Sequence, residues 1–186
     1  MRALSFTLAA LVATAAAGTA SAQSTTATAG PFPVTGNVPA LCSTGTNSSG
    51  SGSFDLGVLV NTTTGFLRTD LAAPPKVLTG AFCTSPSRIT VSATPLVSVN
   101  NVAAAPAGFS RTVNFTATAS GWTTPAASFA TGAATNPGAA QTRGSAFTGD
   151  ITVSIGTFST NGGAALRLIA DPAYLGSVTV TLAAVS

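Results

Sequence analysis

The residues able to carry acid–base, nucleophilic or metal chemistry are few and far apart. The chain has no His and no Glu; its titratable groups are Asp55, Asp70, Asp150 and Asp171, the single Lys76, Tyr174, six scattered Arg, and the two cysteines Cys42 and Cys83. Without His, neither a Ser-His-Asp nor a Cys-His arrangement can be built. A glycosidase pair would have to come from four isolated aspartates, and a metal cage would use nearly all of them. A Ser-Lys dyad would depend on Lys76, and the Val77-Leu78-Thr79-Gly80 that follows carries no nucleophile motif. The stretch from Gly45 to Gly52 is glycine-containing but lacks the lysine and helix of a phosphate loop. These residues therefore predict no enzyme, no cofactor and no metal site. The net charge of +3 rests on only seven Lys/Arg, which are not clustered as phosphate neutralisation requires, so no nucleic-acid partner is expected.

The remaining chemistry is that of the cysteines, and it depends on compartment. Arg2, an apolar run from Ala3 to Ala17, and Ala20-Ser21-Ala22 before Gln23 have the three parts of an export signal over residues 1–22. That apolar run is too short and alanine-rich to span a bilayer, and no later run is long enough, so no membrane span is expected after cleavage. Export places the two cysteines in an oxidising compartment, where a Cys42–Cys83 disulfide is expected. Closing a loop of about 40 residues is worth roughly 4 kcal/mol in the chain-entropy account. A redox role would call for C-x-x-C spacing or a basic neighbour, and neither is present.

What must position these residues is a β framework. Charged residues make up 6% of the chain and hydrophobic residues 45%, against about 25% charged in typical soluble domains, which leaves Ser, Thr and Asn to solvate the surface. The hydrophobic period is two, with turn residues every eight to twelve positions. Strands are expected at FDLGVLV, KVLTGAFC, RITVSATPLVSV, FSRTVNFTATA, GDITVSIGTF, AALRLIA and SVTVTLAAV, giving roughly seven to nine in one domain over residues 42–186. The polar stretch after Cys42 and the Gly/Ala/Pro-rich stretch from Thr123 to Ser145 read as long surface loops. Trp122, at the edge of the second, is a candidate ligand contact, although burial beside a turn is the commoner fate of such a residue.

Residues 23–41 form an N-terminal extension with one apolar face. Phe32, Val34, Gly36 and Val38 share a parity, while Pro31, Pro33 and Pro39 disfavour a central strand. At the other end Val178, Val180 and Leu182 again share one face. The pattern Val34-Thr35-Gly36-Asn37-Val38 leading to Cys42 resembles the N-terminus of chaperone-usher pilus subunits. The likeness extends to Phe54-Asp55-Leu56-Gly57 after the first Cys, to a second Cys about forty residues on, and to the terminal strand from Tyr174 to Leu182. The same pattern is similar to the spore coat protein U-like secreted domains. This resemblance implies an immunoglobulin-like β-sandwich lacking its last strand, with the disulfide tying the first strand to the second. It further implies a donor strand (Phe32, Val34, Gly36, Val38) that fills a neighbour's groove, edged by Val178, Val180 and Leu182. The implied protein is a structural subunit of a pilus-like or coat-like bacterial surface assembly, passing through the periplasm to the cell surface. Its implied partners are other subunits, a periplasmic chaperone and an outer-membrane usher. The competing expectation is a monomeric adhesin module that binds carbohydrate or a surface through the Thr123–Ser145 loop and Trp122.

Overall fold

The structure is a computed structural model and describes residues 28–162 and 166–185. The expected export signal, residues 1–22, lies outside the described residues. The chain divides after Asn37 into two units. In the first, residues 28–37 adopt no regular secondary structure, with Phe32 and Val34 exposed.

The second unit is all-β. Its strands are β1 (Cys42–Ser43), β2 (Thr46–Asn47), β3 (Lys76–Cys83), β4 (Ser87–Ser98), β5 (Phe109–Ser110), β6 (Thr112–Ser120), β7 (Ala127–Ala130), β8 (Ala140–Arg143), β9 (Phe147–Thr160), β10 (Arg167–Leu168) and β11 (Tyr174–Ala184). Nine of them form one curled antiparallel sheet whose main path runs β1-β3-β9-β6-β4-β11, with β2 on β3, β7 on β6 and β8 on β4. β5 and β10 make a separate parallel pair.

The sheet closes on itself as a sandwich because its long strands change partners along their length. β9 pairs with β3 from Phe147 to Val153 and with β6 from Thr152 to Thr160. β4 pairs with β11 along one side from Ser87 to Ser98, and on its other side with β8 at one end and β6 at the far end. Alternation then sends one side chain in two inward. Ile89 and Val91 of β4 meet Phe115, Ala117 and Ala119 of β6 and Ile151 and Val153 of β9 in a single core cluster.

The Cys42–Cys83 disulfide is formed and joins β1 to β3, where the two residues are direct cross-strand partners. Leu41 and Thr84 prolong this contact: Thr84 N–H donates to Leu41 O at 2.9 Å and Leu41 N–H donates to Thr84 Oγ1 at 3.0 Å.

Several expectations need correction. The segment FDLGVLV forms no ladder from Phe54 to Leu59 and has only an isolated bridge, Val60 to Leu67. Its alternation records the half-burial of Phe54 and Leu56 without a strand partner, and Gly57, at φ +60°, then turns the chain. The stripe from Phe109 to Ala117 is broken, because Ser110 is buried and Phe109 exposed, and the inward parity restarts at Val113. The Thr123–Ser145 stretch is no simple loop. It contains β7, a 3-10 turn (Pro137–Ala139) and β8; β7 is docked on β6 and β8 on β4, longer strands whose ladders supply the order that Ala and Gly lack. Trp122 is wholly buried, its ring edge-on to Phe147 at 5.1 Å and its Nε1–H donating to Ser87 Oγ at 3.2 Å. A side chain with no exposed surface cannot stack on an external ligand, so its candidacy as a ligand contact is withdrawn.

Candidate strand-acceptor groove

The candidate site is built around β11. Its sequence, YLGSVTVTLAA, alternates β-branched or leucine residues with small and hydroxyl residues, and one edge is bonded to β4 in register from Tyr174↔Ser98 to Ala184↔Ser87. β11 ends the sheet path, so among the described residues its other edge has no strand partner. Such an edge presents a row of unused N–H and C=O groups. Neither Pro nor a charged residue interrupts it. Val178, Val180 and Leu182 are half-buried and pack on the core, while Thr179, Thr181 and Ala183 face out.

Across from this edge runs the chain between β2 and Val60. Among the described residues its backbone from Phe54 to Val58 makes no hydrogen bond to other backbone; Gly57 N–H donates to Asp55 Oδ1 at 2.9 Å and Arg68 Nη1 donates to Val58 O at 3.4 Å. Between this wall and β11 lie three hollows in a row. One of about 300 Å³ is lined by Phe54, Lys76, Leu78, Val153, Val178 and Val180. The next, about 350 Å³, is lined by Phe54, Leu56, Leu96, Phe115, Ile155 and Val178. The last, about 700 Å³, reaches Val58, Leu96, Asp171, Pro172, Tyr174 and Leu175. Shared residues make them one groove, with Phe54 in all three. Its floor is core surface from β3, β4, β6 and β9. Charge is sparse along it: Lys76 Nζ lies 5.8 Å from the Phe54 ring centroid, a cation–π distance, near one end.

Asp171 fixes the other end. Its carboxylate accepts from Ser98 Oγ at 2.6 Å, Asn100 N at 2.8 Å, Asn100 Nδ2 at 2.9 Å, Asn101 N at 2.8 Å and Ala173 N at 2.9 Å. These donors, led by the Ser98 hydroxyl, hold its carboxyl well below the usual carboxylate range. The Tyr174 phenol donates to Ile169 O at 2.8 Å, and burial, then the nearby Asp171 charge, pushes its pKa up. A depressed carboxylate stabilises the fold above its unfolded pKa of about 3.9, and that contribution is lost as pH falls toward the folded value. Asp171→Asn is therefore expected to lower the melting temperature at neutral pH and to flatten its decline below about pH 4. Thermal melts from pH 2 to 7 check this; identical curves for the two proteins would show that the carboxylate does not organise this end.

The residues singled out from the sequence fall into two groups. Val178 and Val180 line the groove, and Leu182, on the same face of β11, packs on the core without lining any of the three hollows. Phe32, Val34 and Val38 are 78%, 97% and 78% exposed and belong to no strand, and Gly36 has open space around its Cα. The floor residues Leu78, Leu96, Phe115 and Ile155 were not foreseen as site residues. They read as ordinary core positions, and only the missing partner of β11 makes them a surface. No protein-family model, curated protein or solved structure matches the chain. The groove must speak for itself.

Proposed function

We propose that this protein is an exported structural subunit of a surface assembly, in which the N-terminal extension of one copy completes the sheet of the next. The observation that carries this reading is the continuous apolar groove beside the unpaired edge of β11. An inserted strand gains main-chain hydrogen bonds from that edge and buries alternate side chains on the floor, the two ingredients of β-augmentation. The extension has matching chemistry: Phe32, Val34 and Val38 lie on one parity and are exposed. Positions two apart along a strand are about 6.6 Å apart, so Phe32 to Val38 spans about 20 Å, within the length of β11. Burying three such side chains is worth roughly 5–9 kcal/mol before ordering costs. The family resemblance agrees with this arrangement and adds a periplasmic chaperone and an outer-membrane usher as transient partners in export. On this reading the protein acts by assembly and not by catalysis.

Deleting residues 23–38 behind an intact signal is expected to give a folded, disulfide-bonded monomer that forms no polymer by size-exclusion chromatography and electron microscopy. Val34→Asp and Gly36→Phe should do nearly the same, and a peptide spanning residues 28–40 should bind the truncated domain. Unchanged assembly of the truncated protein would overturn strand exchange.

A further inference from the structure

The exposed apolar side chains are not spread evenly. Of the twelve large ones exposed among the described residues, Phe32, Val34 and Val38 belong to the extension or its root, and Val58 to the groove rim. The other eight gather at two ends of the domain. Leu41, Phe82 and Val185 surround the disulfide corner, where Ser43 pairs with Phe82 and Val185 N–H donates to Pro86 O. Val97, Val99, Val102, Phe109 and Leu175 lie at the opposite end; there Leu175 pairs with Val97, and Val99 N–H donates to Ala173 O. β4 runs from one end to the other, so its twelve residues put them about 36–40 Å apart.

We infer that these two ends form a second contact between copies of this chain, the disulfide end of one subunit seated on the Val97–Val102–Leu175 end of the next. A two-fold dimer would bury one patch twice and leave the other bare on both copies. A head-to-tail contact buries both and repeats without closing. The inference rests on the strand-exchange reading, because the direction of the inserted strand decides which ends meet. Antiparallel pairing is the more stable, and β11 runs from Tyr174 at the far end to Ala184 at the disulfide end. A strand inserted antiparallel to it emerges beside Tyr174. The chain then continues through Val38 into Cys42, which brings the donor's disulfide end against the acceptor's far end.

The experiment compares full-length Phe82→Asp/Val185→Asp and Val97→Asp/Val102→Asp with the wild-type chain and with the 23–38 deletion. Phe82 and Val97 are only 37% and 36% exposed, so the aspartate variants should melt somewhat below the wild type, and elongation is compared at a temperature where all of them are folded. Both double variants should still give denaturant-resistant ladders, the sign of strand exchange, but elongate at least ten-fold more slowly by light scattering. Combining Phe82→Asp/Val185→Asp with Val97→Lys/Val102→Lys in one chain should restore much of the rate, since each junction then pairs opposite charges. Serine replacements, expected to slow elongation several-fold, replace any aspartate variant that fails to fold. Wild-type elongation in both double variants overturns the end contact while leaving strand exchange standing. Assembly that survives the deletion but not the end variants overturns strand exchange, and with it the head-to-tail direction, while leaving both patches as contact surfaces. A wild-type chain that stays monomeric overturns both.

Discussion

Replacing Cys42 and Cys83 together by serine is expected to lower folding stability by about 4 kcal/mol and to cut the yield of exported protein sharply. The two sulfurs close a loop with a sequence separation of 41, and the chain-entropy account assigns a loop of that length about 4 kcal/mol. Domains have net stabilities of only about 5–15 kcal/mol, so the loss approaches the whole margin. The position of the bond adds to its effect. β1 is two residues long and is held by its short ladder to β3 and by the Thr84 bonds to Leu41. Once the covalent tie is cut, this strand has little else to keep it in place, and it is the root from which the extension departs. Guanidinium unfolding of oxidised, reduced and Ser/Ser protein measures the difference. A change below about 1 kcal/mol would show that the bond is incidental to stability.

Trp122→Ala should be the most damaging single substitution in the core. Truncating a buried aromatic costs about 3–5 kcal/mol, which for a domain of this size lowers the melting temperature by about 10 °C or more. More than volume is lost. The Ser87 hydroxyl, itself buried, loses the indole N–H as a partner. Phe147 loses its edge-on neighbour, and Arg143, which stacks 3.5 Å above Phe147 and donates to Trp122 O at 2.7 Å, loses the packing that holds it. Trp122→Phe keeps much of the volume and should cost less. Because this is the only tryptophan, its fluorescence gives an independent check: emission from the folded protein should be blue-shifted and move red on unfolding. A Trp122→Ala protein that melts with the wild type would contradict the burial described here.

How far the sequence could be read depended on whether a strand's signal was its own. KVLTGAFC coincides with β3, and β4, β9 and β11 lie within a few residues of their expected limits. Each is long enough for alternation to mark an inward face without help. β7 and β8 were missed because Ala127–Ala130 and Ala140–Arg143 carry no strong β preference; their order comes from docking on β6 and β4. The opposite error occurred at Phe54–Val60. Alternation there reports which side chains are half-buried, whereas a strand also needs a neighbour's backbone, and the described chain offers none from Phe54 to Val58. The groove was half legible for the same reason. Its β11 side is a periodic stripe, but its floor is made of residues indistinguishable from core until the strand order is known.

The order of β4 and β11 has a consequence in time. These adjacent strands are joined along nearly their whole length, yet Ser87 is paired with Ala184 and Ser98 with Tyr174, so β4 is synthesised long before its principal partner. Until β11 is available, a twelve-residue strand rich in Ile, Val and Thr lacks its partner on that side. Pairings so distant in sequence form slowly. If folding starts before β11 is available, the free edge of β4 is open to any other extended chain, the kind of unpaired edge that favours misassembly. When β11 does arrive it ends that exposure and becomes the open edge in its turn.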